Sequence, residues 1–156
     1  MKLNTFKPTK GLRNWCGPTA LSILTGRTIG YCAKLSAEIA SRQRYRHSYN
    51  QGWHSVKHTA KTIKGVDNSE MEYAANKMGF RFKRVVPVAD NTLFKFMEDM
   101  TGPIWKEALL INVTDHYVVA QRGICYDNHD TTGTDSRKFW CRRRKVLHVW
   151  IVERIK

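Results

Sequence analysis

With 42% hydrophobic and 11% aromatic residues, a chain of 156 residues can bury one core and is too apolar to stay disordered. Its 27 lysines and arginines against 13 acids give a formal charge of +14, which favours nucleic acid or an acidic protein as partner. No run approaches the ~20 apolar residues of a membrane helix, and MKLNTFKPTKGLR lacks a signal peptide's apolar stretch. These features predict a soluble chain in a reducing cytosol, without a membrane partner. Cys16, Cys32, Cys125 and Cys141 are then expected as thiols rather than bridges.

No repeat or long linker interrupts the sequence, so one domain over 1–156 is expected, helical over about 14–79 and sheet-forming over about 80–156. Gly17 to Thr25 reads as a first helix, with Ala20, Leu21, Ile23 and Leu24 on one face, Pro18 in the first turn and Gly26 as cap. Tyr31 to about Arg46 reads as a second, its arginines gathered near the C-terminal end where the dipole favours cations. The stretch 48–65 is ambiguous. VDNSEMEYAANKMGF predicts a third helix, capped by Asn68 or Ser69 and ended by Gly79.

The period then changes. Phe80 to Val88 alternates as a strand, and Asn91 to Met100 is a short helix opened by Asn91. Strand-like runs follow at Ala108 to Val113, His116 to Ala120 and Ile124 to Asp127. KVLHVWIVERI is apolar on both faces, the pattern of a covered strand. Helices first and an antiparallel meander second make an α+β domain.

Within NWCGPTALSILTG, Cys16 stands at the first turn of a buried helix. Packing is one reason for a thiol there. The other is chemical: a helix N-terminus favours the thiolate, which is the nucleophile. A base elsewhere in the chain decides between them. His116 begins a strand that can face this helix. A two-residue turn at Gln121-Arg122 lays it opposite Asp127; a three-residue loop with Gly123 left-handed lays it opposite Asn128. Either acceptor suits an imidazole that must be held in one tautomer. The candidate constellation is Cys16 as nucleophile, His116 as base, and Asp127 or Asn128 as orienter.

These motifs resemble the papain-like cysteine peptidases. More closely, the chain is similar to the double-glycine leader peptidases that process bacteriocins, and to small stand-alone relatives encoded by bacteriophages. The likeness runs through NWCGPTALSILTG, TIGYCAKLSAEIA, MEYAANKMGF, TLFKFMEDMTG and ALLINVTDHYVVAQRGICYDN. It implies a papain-like fold, a peptide or protein substrate, no cofactor, and Cys16, His116 and Asp127 as triad. One element departs. The family's pattern usually has an oxyanion-binding glutamine six residues before the cysteine, and here that position is Lys10. Lys10, Asn14 and the backbone N–H of Cys16 are the candidates to supply that donor, whose loss in other enzymes costs ~3 kcal/mol.

Other groups carry weaker signals. Cys125, His129, Cys141 and His148 match no common zinc spacing, so no metal is expected. Trp53, His54 and His58 suit either a cleft lining or loop packing. Arg142, Arg143, Arg144 and Lys145 are candidate polyanion contacts, with Phe139, Trp140 and Trp150 either stacking bases beside them or closing the core. Two functions follow from these residues. One is a cysteine peptidase or amidase; the other is a catalytically weak relative that holds nucleic acid or an acidic protein on its basic surface.

Overall fold

Local chemistry sets the helix ends. Helix α1 (Cys16–Thr25) starts one residue before the expected Gly17, and Pro18 sits in the first turn, where no N–H is required. It stops at Gly26, whose left-handed backbone (φ 75°) lets its N–H reach the carbonyl of Ser22. Helix α2 (Ile29–Tyr49) extends past the expected bounds at both ends, opened by the Thr28 hydroxyl, which accepts the N–H of Tyr31. Helix α3 (Asn68–Lys77) is capped by Asp67, not by Asn68 or Ser69. Asp67 accepts the N–H of Glu70 while the Glu70 carboxylate accepts the N–H of Asp67, a reciprocal arrangement that satisfies two orphan donors. The structure, a computed structural model, describes residues 1–6, 15–49, 65–85 and 91–155, the side chains of 43–49 excepted.

The second half forms one antiparallel sheet. Its strands are β1 (Phe80–Val85), β2 (Leu109–Val113), β3 (His116–Gln121), β4 (Ile124–Tyr126), β5 (Thr134–Asp135) and β6 (Val146–Arg154), in the order β1-β6-β2-β3-β4-β5. Between β1 and β2 lie α4 (Leu93–Asp99) and a 3₁₀ turn at Gly102–Lys106 that the sequence pattern did not indicate. Thr92 caps α4 through its hydroxyl, where Asn91 was expected. The short β5 was likewise unforeseen.

Both faces of the sheet are covered. Leu110, Tyr117, Val119, Trp150 and Val152 pack against Leu21, Leu24 and Met71 of the N-terminal helices. Leu109, Ile111, Val118 and Val149 pack against Leu93 and Met97 of α4 and against Phe139. Burial on both sides explains why β2, β3 and β6 read as apolar runs rather than alternating ones. Each fully buried Leu, Ile or Val contributes about 1.5–3 kcal/mol relative to exposure.

The β3–β4 hairpin corrects the expected register. It pairs Ala120 with Cys125 and Gln121 with Ile124. The turn is therefore Arg122-Gly123, with both residues left-handed (φ 52° and 79°), the backbone that matches the twist of the flanking strands. Continued, this register lays His116 opposite His129, not Asp127 or Asn128. The shift is an even number of residues from the two-residue alternative, so Asp127 stays on the same face as His116, as a diagonal neighbour.

Candidate functional site

Three elements meet at one end of the sheet. Cys16 opens α1, His116 opens β3, and Asp127 follows the last residue of β4. His116 is 6% exposed and Asp127 is fully buried. The imidazole Nε2 lies 2.7 Å from Asp127 Oδ2, so of the two expected acceptors it is Asp127 that meets His116, with Asn128 buried beside it. Nδ1 is then the ring nitrogen left to face the Cys16 thiol, which is coupled electrostatically to the same imidazole.

Asp127 is held as an anion by its surroundings. Oδ1 accepts the N–H groups of His129 and Asp130, each at 2.8 Å, in a turn typical of aspartate. Oδ2 accepts the indole N–H of Trp140 at 2.6 Å as well as its bond to His116. Burial pushes the carboxyl upward, but the bonds from His116, Asp130 and Trp140 outweigh it and hold the group below its ordinary value.

The same balance acts on the other two groups. Burial opposes a charge on His116, yet Asp127 and Cys16 raise its pKa to about 9. Burial also opposes ionisation of Cys16, and the hydrogen bond and charge of His116, with the N–H groups of Tyr117 and Gly17, lower it below an ordinary thiol. The pair is thus biased towards thiolate and imidazolium. The other three cysteines are also free thiols, buried in the core, and burial raises each of them.

No family model matches the chain, and no curated protein is found to be related to it. Among solved structures, it is similar to the peptidase domain of Streptococcus ComA, a bi-functional ABC transporter involved in a quorum sensing pathway. That likeness has a TM-score of 0.51 at 20% identity, over 97% of this chain and 98% of that one. The fold is that of a peptidase domain. The α+β arrangement expected from helices first and strands second is borne out: four helices among the described residues and a six-stranded antiparallel sheet.

The remaining sequence candidates fall in several places. Lys10, Asn14, Trp53, His54 and His58 lie outside the described residues. Phe139 and Trp150 close the core, at 1% and 8% exposure. Trp140 does not: it is 46% exposed and stands edge-on to both His116 and His129, with ring centroids 5.2 and 4.7 Å away. Arg144 covers its face at 4.9 Å. Cys125 and Cys141 are buried in the core with Phe139, and His148 packs on Trp150 beside Arg84. Among the described residues no three His, Cys, Asp or Glu side chains gather as a metal-binding group. No helix there is long and apolar enough to cross a membrane.

Trp140 and His129 are the site residues that sequence reasoning missed. His129 was weighed only as a metal ligand and Trp140 only as a stacking or core group. The available signal was the DNHD turn, in which an aspartate that bonds its own following N–H groups projects the next residues back over itself.

Proposed function

We propose that the chain is a cysteine peptidase or amidase in which Cys16 is the nucleophile, His116 the general base and acid, and Asp127 the orienting group. A single observation carries this reading: a buried imidazole tied to a buried carboxylate at 2.7 Å on one side and to the helix-opening thiol on the other. His116 takes the Cys16 proton, and the thiolate adds to an amide carbonyl carbon. Collapse of the tetrahedral adduct breaks the C–N bond, with the amine leaving on the proton held by His116. Water, deprotonated by His116, then cleaves the thioester and restores the thiol. The fold of a known peptidase domain agrees with a peptide substrate. The suggestion that the chain is phage-encoded and acts in the host cell rests on the sequence resemblance alone.

The binding-module alternative fares worse on its aromatic evidence. Of the three rings offered for base stacking, two are buried, and the third, half exposed, carries Arg144 over one face.

The test is alkylation of Cys16 by iodoacetamide against pH, read by mass spectrometry on the wild-type chain and on His116→Ala. Fast reaction well below the ordinary thiol pKa of ~8.5, lost in His116→Ala, is the expected result. An ordinary profile in the wild-type chain rejects the nucleophile assignment.

A further inference from the structure

The basic turn between Trp140 and β6 is fixed from two sides. The carbonyls of Arg142 and Arg144 accept the N–H groups of Phe94 (2.8 Å) and Leu93 (2.9 Å), which open α4. The carbonyl of Lys145 accepts the N–H of Thr114, in the turn leading to His116, at 3.1 Å. With its main chain engaged in this way, the turn turns its side chains outward. Arg143 is exposed, and Arg142 and Arg144 are half-buried.

Arg144 lies beside the site, with Arg142 and Arg143 just before it in the chain. Arg144 covers Trp140, the residue bonded to Asp127, and donates to the Thr114 carbonyl at 2.8 Å. Arg142 and Arg143, with Thr92, Phe94 and Arg137, line an open cleft of about 360 Å³. Arg137 is already held by both oxygens of Asp135, at 2.9 and 2.7 Å. No carboxylate among the described residues pairs with Arg142, Arg143 or Arg144. The carboxylates nearest the cleft are engaged elsewhere: Asp127 by His116 and Trp140, and Asp135 by Arg137.

We propose that this turn and its cleft dock an acidic segment of the peptide substrate, running from Arg142 and Arg143 to the Arg144–Trp140 rim of the Cys16–His116 site. The assignment rests on the peptidase reading and names the substrate class. Guanidiniums grip carboxylates through paired, charge-assisted bonds, which suits a peptide rich in Asp or Glu. Nucleic acid offers comparable anions, but Phe139 and Trp150 are buried, and of these rings only Trp140 is exposed, with Arg144 over one face, so a base-stacking platform is small.

The test is fluorescence anisotropy with the full chain carrying Cys16→Ala. The probes are a fluorescein-labelled peptide of alternating Glu and Gly, its Gln counterpart, and an oligothymidine of equal length. The acidic peptide is expected to bind at least about tenfold more tightly than the Gln peptide, and to weaken as salt shortens the Debye length below ~10 Å. Arg142→Gln and Arg143→Glu should each lower its affinity several-fold. Arg143 makes no side-chain bond among the described residues, so this second variant keeps the test valid if the first misfolds. In the wild-type chain, saturating acidic peptide should slow alkylation of Cys16.

Equal binding of the Gln peptide, unchanged affinity in a folded arginine variant, or binding without protection of Cys16 overturns the proposal. Tighter binding of oligothymidine reassigns the surface to nucleic acid and also overturns it. Ordinary thiol reactivity of Cys16 in the unliganded chain rejects the peptidase reading instead, whatever the peptides do.

Discussion

Cys16, Cys32, Cys125 and Cys141 carry the same side chain in four surroundings. Burial raises Cys32 to about 11 and Cys141 to about 12, and raises Cys125 as well, whereas His116 draws Cys16 the other way. Limited alkylation of the folded chain at neutral pH should therefore label Cys16 alone, and the other three only after denaturation; peptide mapping reads this directly. Trp140→Phe keeps a ring over His116 but removes one of the donors to Asp127. The carboxylate then loses part of what holds its pKa down, so its protonation moves to higher pH. The acid side of the Cys16 reactivity profile should shift towards neutrality. An acid limb that stays put would show that the indole N–H does not stabilise the Asp127 anion.

Among the elements, α3 and the loop after β4 support the site. Asn68, the first residue of α3, accepts the Tyr117 hydroxyl at 2.7 Å and so ties that helix to β3. Asp67→Ala removes the cap that starts α3 there, and should cost about 1 kcal/mol in urea unfolding. Gly133 follows the Asp130 turn with φ 99°, and a Cβ there would lie 2.7 Å from Ile124 Cγ2 and against the Tyr126 ring. Gly133→Ala should destabilise by about 2 kcal/mol or more, through strain and overpacking. At about 2–4 °C per kcal/mol for a chain of this size, a thermal melt resolves the loss. These elements also show why sequence reading slipped by a residue or two. Asp67 and Thr92 are adjacent to other good caps, and only the packed helix selects which side chain reaches the free N–H. The Arg122-Gly123 turn places an arginine at φ 52°, a conformation its side chain does not advertise.

For the whole molecule, stability should follow the charges of the buried pair. His116 has a raised pKa, so its contribution is complete below the unfolded value of ~6.5 and disappears as pH rises through about 9. Asp127 has a depressed pKa, so its contribution is present above the unfolded value of ~3.9 and is lost as pH falls through the folded one. Urea unfolding should give a stability plateau between these limits, with an alkaline decline that His116→Ala lacks. An identical alkaline limb in the variant would place the decline elsewhere in the chain. The excess of positive charge predicts, in addition, that modest salt raises stability by screening self-repulsion.

The sequence by itself determined the order of the main helices and strands, the position of a thiol at a helix start, and a polar acceptor for His116 on the same face near the end of the next strand, though not the register. Each of these is local: apolar period, turn residues and strand alternation act over a few residues. The choice of Asp127 over Asn128, the indole N–H that Trp140 gives to Asp127, and the seating of the arginine carbonyls on α4 were decided by tertiary structure alone. They depend on a hairpin register and on a loop that returns over the site from more than ten residues away, at Trp140. Contacts of that kind arise only when both faces of the sheet are covered at once, because packing, not local propensity, selects the side chains that meet.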